Sequence, residues 1–216
     1  MSDDAAPLVA PPLVVVYADE SCLGNGREGS NPGGAAGLIE YRVPHTGAVV
    51  RRDYWVSEPA TTNNRMALRS VIEAFRILSA KGRGLRVLFQ SDSRYIVNGM
   101  HEWVHGWAAR GWRRKGGEVE NLALWREAVE AACAHEVQWK WIAGHRGHPQ
   151  NEYANDLAVR AARDQTSSEG AMPSGFDAWL EAQRARGRIT EAPDPFPDAT
   201  TFRASRALPG ARAGRL

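Results

Sequence analysis

The chain has 216 residues, of which 43% are hydrophobic, and a formal net charge of +2. This length and composition predict one domain with tails, and any nucleic-acid interface must come from local clusters of cations. No apolar run approaches the roughly 20 residues that span a bilayer, no signal-peptide pattern is present, and Cys22 and Cys133 match no metal-ligand spacing. We therefore expect a soluble, cytoplasmic monomer with reduced thiols, without a membrane or an obligate protein partner.

The first half of the chain predicts an antiparallel meander. Residues 1–12 are acidic and contain prolines, so we expect a disordered leader. The β-branched run at residues 13–18 predicts a buried strand. Residues 35–41 and 49–56 predict the second and third strands, with a turn between them.

Helices and strands alternate after the meander. Thr61–Asn64 is a cluster of N-cap residues that starts a helix. The predicted helices lie at about residues 65–81, 94–105, 120–135 and 150–163, and the predicted strands at 85–90 and 137–142. This order predicts an α/β domain over residues 13–165, with a five-stranded mixed sheet and helices on both faces. Residues 166–216 are rich in Ser, Pro, Ala and Arg, so we expect a mostly disordered tail with a possible short helix at 176–186.

Two aspartates stand at the ends of predicted core strands. Asp19 and Asp92 would be costly to bury there unless a cation offsets them. Meeting at one sheet edge, they would form an oxygen site for Mg²⁺ or Mn²⁺. The alternative is that each one caps the following turn or helix. His145 lies in a glycine-rich loop and could move protons, although a lone histidine there is more often a surface residue.

A basic, aromatic segment follows the second predicted helix. Its cations suit a phosphate backbone, while its tryptophans pack the segment onto the body. It contains Trp103, Trp107, Arg110, Trp112, Arg113, Arg114 and Lys115. Three further tryptophans fall at core spacing, and we interpret them as packing residues: Trp125, Trp139 and Trp141.

Taken together, these segments resemble bacterial type 1 ribonuclease H over about residues 13–163. The resemblance is carried by Asp19–Asn25, Thr61–Met66, Ser91–Ser93, Trp103–Trp107, Arg110–Trp112 and Gly144–Glu152. It implies the ribonuclease H-like fold and cleavage of the RNA strand of RNA–DNA hybrids, using two Mg²⁺ ions, or Mn²⁺, held by four acidic residues.

The resemblance also implies roles for individual residues. Asp19 would bridge both metal ions, Asp92 would hold the ion on the side of the attacking water, and His145 would assist proton transfer or product release. The fourth ligand position, also catalytic, falls on Asn155. The hybrid would be held through shape, 2′-hydroxyls and phosphates rather than through base sequence. The implied substrate-binding residues are Asn25, Thr62, Asn63, Asn64, Arg94, Trp103, Trp107, Arg110, Trp112, Arg113, Arg114 and Asn151.

Two of the four acids that the family pattern requires are missing. Ala67 stands where a glutamate is expected, and Asn155 stands where an aspartate is expected. Two carboxylates neutralise only half of the charge of two Mg²⁺ ions and leave a net charge of +2. We expect this uncompensated charge to weaken metal binding. Glu152 and Asp156 are possible substitutes, although Asp156 is rotated by about 100° from Asn155 around the helix.

Glu20 is the remaining nearby acid. It follows Asp19 in the same strand, so alternation of side chains points it to the opposite face. We therefore expect it to lie outside the site.

Three hypotheses fit these features. An active, metal-dependent hybrid nuclease with a modified ligand set is favoured by Asp19, Asp92 and His145. A non-catalytic hybrid-binding protein, natural or deliberately inactivated, is favoured by Ala67 and Asn155. Another nuclease of the same superfamily is disfavoured by the hybrid-reading asparagines and the basic segment. Hybrid cleavage in Mg²⁺ and in Mn²⁺, by this chain beside its Ala67→Glu variant, separates the first two.

Overall fold

The fold is a mixed β-sheet with helices on both faces, seen in a computed structural model that describes residues 10–24, 31–80, 82–144 and 147–210. The strands are β1 Leu13–Cys22, β2 Gly33–Arg42, β3 Val49–Glu58, β4 Arg86–Ser91, β5 Arg113–Arg114, β6 Gly117–Glu118, β7 Glu136–Trp141 and β8 Met172–Pro173. The main sheet has the order β7-β4-β1-β2-β3-β8, and β5 and β6 form a separate hairpin. β1, β2 and β3 pair antiparallel, while β4 pairs parallel to β1 and to β7. The predicted five-stranded mixed sheet is confirmed, and β8 adds a sixth strand that the sequence did not predict.

The helices follow the predicted order with shifted ends. They are α1 Asn63–Ser79, α2 Arg94–Asn98, α3 Val104–Ala109, α4 Leu122–Ala132, α5 Pro149–Asp164 and α6 Phe176–Ala185. The helix predicted at 94–105 is interrupted by a π-helical turn at Gly99–Trp103, which links α2 to α3. At Gly99 an added Cβ would lie 2.0 Å from the Trp125 ring, so the helix approaches α4 very closely here. None of the helices in the described ranges is long and apolar enough to cross a membrane.

β1 is buried on both faces, which explains its continuous apolar sequence. Val16 and Ala18 belong to the core under α1 and α4. Val15 and Tyr17 belong to the core under α5 and α6. The strand therefore ends between two helical layers, and residues just beyond the core can be reached from either side.

The tail differs from the expectation of a mostly disordered segment. β8 pairs with the edge strand β3, and α6 places Phe176 in the core beside α5. Farther along, the Ser205 backbone N–H donates to the Val137 carbonyl on the opposite edge strand (2.8 Å), and Leu208 enters the core under α1. The tail contains few apolar residues, but Phe176 and Leu208 are far enough apart to pack into the cores on opposite faces of the sheet.

The packing of the tail predicts a loss of stability on truncating one side chain. Leu208 is 6% exposed, so Leu208→Ala should lower the free energy of unfolding by about 2–4 kcal/mol, measured by urea denaturation. Leu23 is 37% exposed, and Leu23→Ala should change the free energy by less than about 0.5 kcal/mol. An unchanged midpoint for Leu208→Ala would contradict the packing of the tail.

Candidate active site

Asp19 and Asp92 lie side by side at the open end of two parallel strands. Parallel pairing of β1 with β4 ends at Ala18 and Ser91, and an aspartate follows each of these residues, Asp19 within β1 and Asp92 just after β4. The charge of Asp92 acts on Asp19. The loop after β7 packs tightly against Asp92, because a Cβ added to Gly144 would lie 2.0 Å from Asp92 Oδ2. The structure thus brings the two predicted aspartates together, although β1 does not end before Asp19 as predicted but continues to Cys22, because it stays paired with β2.

The Asp19 carboxyl group is buried and only partly compensated. It is 4% exposed, and it accepts hydrogen bonds from the Glu20 backbone N–H (2.7 Å) and from Asn151 Nδ2 (3.2 Å). Burial, and then the negative charge of Asp92, raise the pKa of Asp19 to about 8 despite these bonds. A bound cation would oppose this shift, because it favours the ionised form.

Glu20 belongs to the same acidic cluster, contrary to our expectation. Burial and the charges of Asp19 and Asp92 raise the pKa of Glu20 well above its ordinary value, while a side-chain hydrogen bond with Ser93 lowers it. Its Oε2 atom is buried and has no hydrogen-bond partner in the described part of the chain. Because the charges of both aspartates act on it, Glu20 lies near them rather than in a separate region of the protein.

Side-chain alternation does direct Glu20 to the face opposite Asp19, as expected. The error was the conclusion that a residue on that face lies outside the site. Even-numbered residues of β1 such as Ala18 face α1, the helix that carries Ala67, and Ala67 is fully buried in that core. Glu20 therefore starts from the face on which the resemblance expected a glutamate. Because β4 has already ended, no strand separates Glu20 from Asp92, and the two faces meet. The adjacent acids Asp19 and Glu20 directly after an apolar run were the signal that could have revealed this residue.

Helix α5 contributes polar groups from its first turns. Asn155 is one turn beyond Asn151, the residue bonded to Asp19, and is partly exposed. Glu152 is near enough to contribute to the raised pKa of Asp19, and its Oε1 accepts from the Gly147 backbone N–H at 3.4 Å. Asp156 is a poor substitute ligand, because it is exposed and its Oδ2 accepts from Trp179 Nε1 on α6 (2.7 Å). The rotation around the helix directs Asp156 away from Asp19.

The residues at the start of α1 are open to solvent. Thr62, Asn63 and Asn64 are all exposed. Thr62 caps the helix by accepting a hydrogen bond from the Arg65 backbone N–H at 3.4 Å, which leaves its hydroxyl hydrogen able to donate. Asn25 and His145 lie outside the described residues, so their predicted roles remain predictions.

Trp141 is not the core residue that its spacing suggested. It is 40% exposed, and its indole N–H donates to the Asp92 backbone carbonyl at 3.0 Å. Arg94, a predicted substrate-binding residue, stacks over the Trp141 ring at 4.1 Å. Trp141 is the last residue of β7 and lies beyond the hydrophobic core, so its ring lies beside the acidic cluster. Trp125 and Trp139 are buried, in agreement with their interpretation as packing residues.

The basic, aromatic segment combines packing with exposed charge. The Trp107 ring packs edge-on against Trp125, with centroids 5.4 Å apart, and Trp103 packs against Trp107 at 5.9 Å. Trp112 lies under the Arg126 guanidinium. The cations of the segment are exposed: Arg110, Arg113, Arg114 and Lys115.

To hold a metal ion, the acidic side chains of the site would have to change their rotamers. Within the described ranges, no three His, Cys, Asp or Glu side chains are arranged to hold a metal ion as they stand. The donor set still fits a hard cation chemically, because carboxylate and amide oxygens are its preferred ligands. The buried, unpartnered oxygen atoms of Glu20 and Asn151 add acceptors at the same place.

Asp19→Asn is expected to stabilise the metal-free protein in a pH-dependent way. The wild-type protein loses stability as pH rises from about 4 to about 8, because the raised pKa makes ionisation costlier in the folded state than in the unfolded state. At about pH 9 the variant should therefore be more stable by at least about 2 kcal/mol, and near pH 4 the difference should be smallest. Urea denaturation in chelator measures this, with Asp156→Asn as the exposed control. Equal stability of Asp19→Asn and wild type at high pH would contradict the buried, repelled carboxylate.

Comparisons with known proteins point to one family over most of the chain. The family model described as RNase H matches residues 11–163. A ribonuclease H of Aromatoleum aromaticum is 39% identical over 163 residues, covering 75% of this chain and 97% of that protein. Ribonuclease HI of Caulobacter vibrioides is 37% identical over 153 residues, covering 70% of this chain and 94% of that protein.

A solved structure extends the similarity into the tail. LC9-RNase H1, described as a type 1 RNase H with the type 2 active-site motif, is 61% identical with a TM-score of 0.87. The match covers 96% of this chain and 99% of that one, so it includes most of residues 166–216. By the family match, the sequence identity and the shared fold, the chain belongs to the ribonuclease H family of enzymes.

Proposed function

We propose that the chain is a metal-dependent endonuclease that hydrolyses the RNA strand of RNA–DNA hybrids, with Glu20 replacing the glutamate missing at position 67. Asp19, Glu20 and Asp92 would supply the carboxylates, and Asn155 a neutral oxygen. The observation that carries the proposal is the buried Oε2 of Glu20, which lies near two aspartates and has no hydrogen-bond partner among the residues that the structure describes. Such a group is costly to keep unless a cation satisfies it. A monomer acting in the cytoplasm remains part of the proposal.

A third carboxylate changes the charge balance. With only Asp19 and Asp92, two Mg²⁺ ions would carry an excess of two positive charges. Glu20 reduces the excess to one, which the phosphate of the substrate can offset. The similar enzyme LC9-RNase H1, with its type 2 motif in a type 1 protein, supports an acid set that differs from the type 1 pattern.

The residues of the site have separable tasks. Divalent ions, when bound, would activate water and stabilise the leaving 3′ oxygen. Asn151 orients Asp19 through its side-chain amide, and Trp141 holds the Asp92 backbone. Exposed Asn63 and Asn64 would contact sugars and base edges of the hybrid, and the cations of the basic segment would contact phosphates.

The activity itself is tested with labelled duplexes. We expect cleavage of the RNA strand of a hybrid in Mg²⁺ or Mn²⁺, none in chelator, and none of double-stranded DNA or double-stranded RNA. Absence of cleavage by clean, folded protein in both metals would refute the proposal and favour a hybrid-binding protein. Cleavage of double-stranded DNA would favour another nuclease of the superfamily.

The role of Glu20 is tested by exchanging the position of the glutamate. Glu20→Gln should reduce kcat at least about hundredfold with hybrid binding nearly unchanged, whereas Glu152→Gln should cost much less. Ala67→Glu should restore part of the activity of Glu20→Gln, because both side chains start on the α1 face. Full activity of Glu20→Gln would show that this carboxylate is dispensable.

A further inference from the structure

Beyond α6, the C-terminal segment reaches the start of the active-site helix at Asp194. The Gln150 side chain is fully buried, and its amide makes two hydrogen bonds with the Asp194 backbone. Gln150 Nε2 donates to the Asp194 carbonyl at 2.9 Å, and the Asp194 N–H donates to Gln150 Oε1 at 3.2 Å. Both polar ends of a buried side chain at the start of α5 therefore depend on the tail.

The Asp194 side chain reaches the residue that caps the same helix. His148 Nδ1 accepts a hydrogen bond from the Asn151 backbone N–H at 3.4 Å. Because Nδ1 accepts, the ring proton must lie on Nε2, which is 3.1 Å from Asp194 Oδ2 and donates to it. The ring also contacts the buried Tyr17 ring, with centroids 5.5 Å apart. Asp194 thus favours the one neutral tautomer of His148 that can cap α5.

The capped residue acts directly on the acidic cluster. Asn151 is 1% exposed, and its side-chain amide donates to Asp19 Oδ2 at 3.2 Å. A continuous series of hydrogen bonds therefore runs from Asp194 through His148 and Asn151 to Asp19. A shift of the first turn of α5 would move the donor away from the carboxylate.

We propose that Asp194 is a positioning residue of the active site, which holds His148 as the cap of α5 so that Asn151 orients Asp19. Only the predicted change in kcat rests on the proposed function, because it requires that the chain hydrolyses the hybrid. It makes the tail a functional part of the enzyme, although no tail residue needs to touch the substrate.

Three variants of the full chain test the inference. Asp194→Ala removes the partner of His148 Nε2 but leaves the backbone bonds to Gln150. Asp194→Asn keeps an acceptor oxygen in place without the charge. Asp198→Ala is the matched control, because Asp198 lies in the same segment and its side chain, within the described residues, bonds to the turn at Thr200.

We expect Asp194→Ala to lower kcat for hybrid cleavage about tenfold with KM changed less than about twofold, since the exposed asparagines of α1 and the cations of the basic segment lie elsewhere. Asp194→Asn should recover at least half of the loss, and Asp198→Ala should match wild type. Nitrogen-15 NMR of histidine should show His148 protonated on Nε2 in wild type and mixed between tautomers in Asp194→Ala. Hydrogen exchange at the Asn151 amide should become about tenfold faster in that variant.

Two readouts do not require turnover, so they judge the inference even if wild type fails to cleave hybrid and the proposed function is lost. The inference would be overturned if, in Asp194→Ala, the His148 tautomer and the hydrogen-exchange rate of the Asn151 amide were both the same as in wild type. A raised KM with unchanged kcat, or the same kinetic loss in Asp198→Ala, would also overturn it.

Discussion

Asp19, Glu20 and Asp92 bring three carboxyl groups to the open end of two parallel strands, where water reaches them only in part. Burial and mutual repulsion raise the pKa values of Asp19 and Glu20. The surrounding structure has to hold these groups together against that repulsion. It does so with a side-chain amide from α5, a tight glycine contact from the loop after β7 and an indole N–H on the backbone of Asp92.

The position of α5 determines which of its polar residues serve the site. A Cβ added to Gly34 on β2 would lie 2.2 Å from the Ala158 carbonyl, so the helix lies almost directly on the sheet. This close approach sets the rotation of α5. Asn151 then meets Asp19, while Asp156 faces α6 and bonds to Trp179.

The tail illustrates why composition misled the prediction of disorder. Residues 166–216 contain no long apolar run, and low hydrophobicity usually indicates a segment that cannot bury enough surface to fold. Here the core already exists, and Phe176, Leu180, Ile189 and Leu208 each fill one place in it. Such contacts join residues far apart in sequence, so no local pattern announces them.

Local patterns were sufficient for the five main strands, for most of the helices and for the pair Asp19 and Asp92, because side-chain periodicity and capping act over a few residues. The sequence by itself determined the mixed sheet, the exposed asparagines at the start of α1, and Asp19 and Asp92 as neighbours. Only the tertiary structure decided that Glu20 joins them, that Asp156 does not, and that Trp141 lies beside the site rather than in the core. The physical reason is that β4 ends one residue before Asp92. Past that point β1 continues to Cys22 without β4 beside it, so no neighbouring strand keeps Glu20 apart from Asp92. The place of each group then depends on the helices packed around this edge of the sheet.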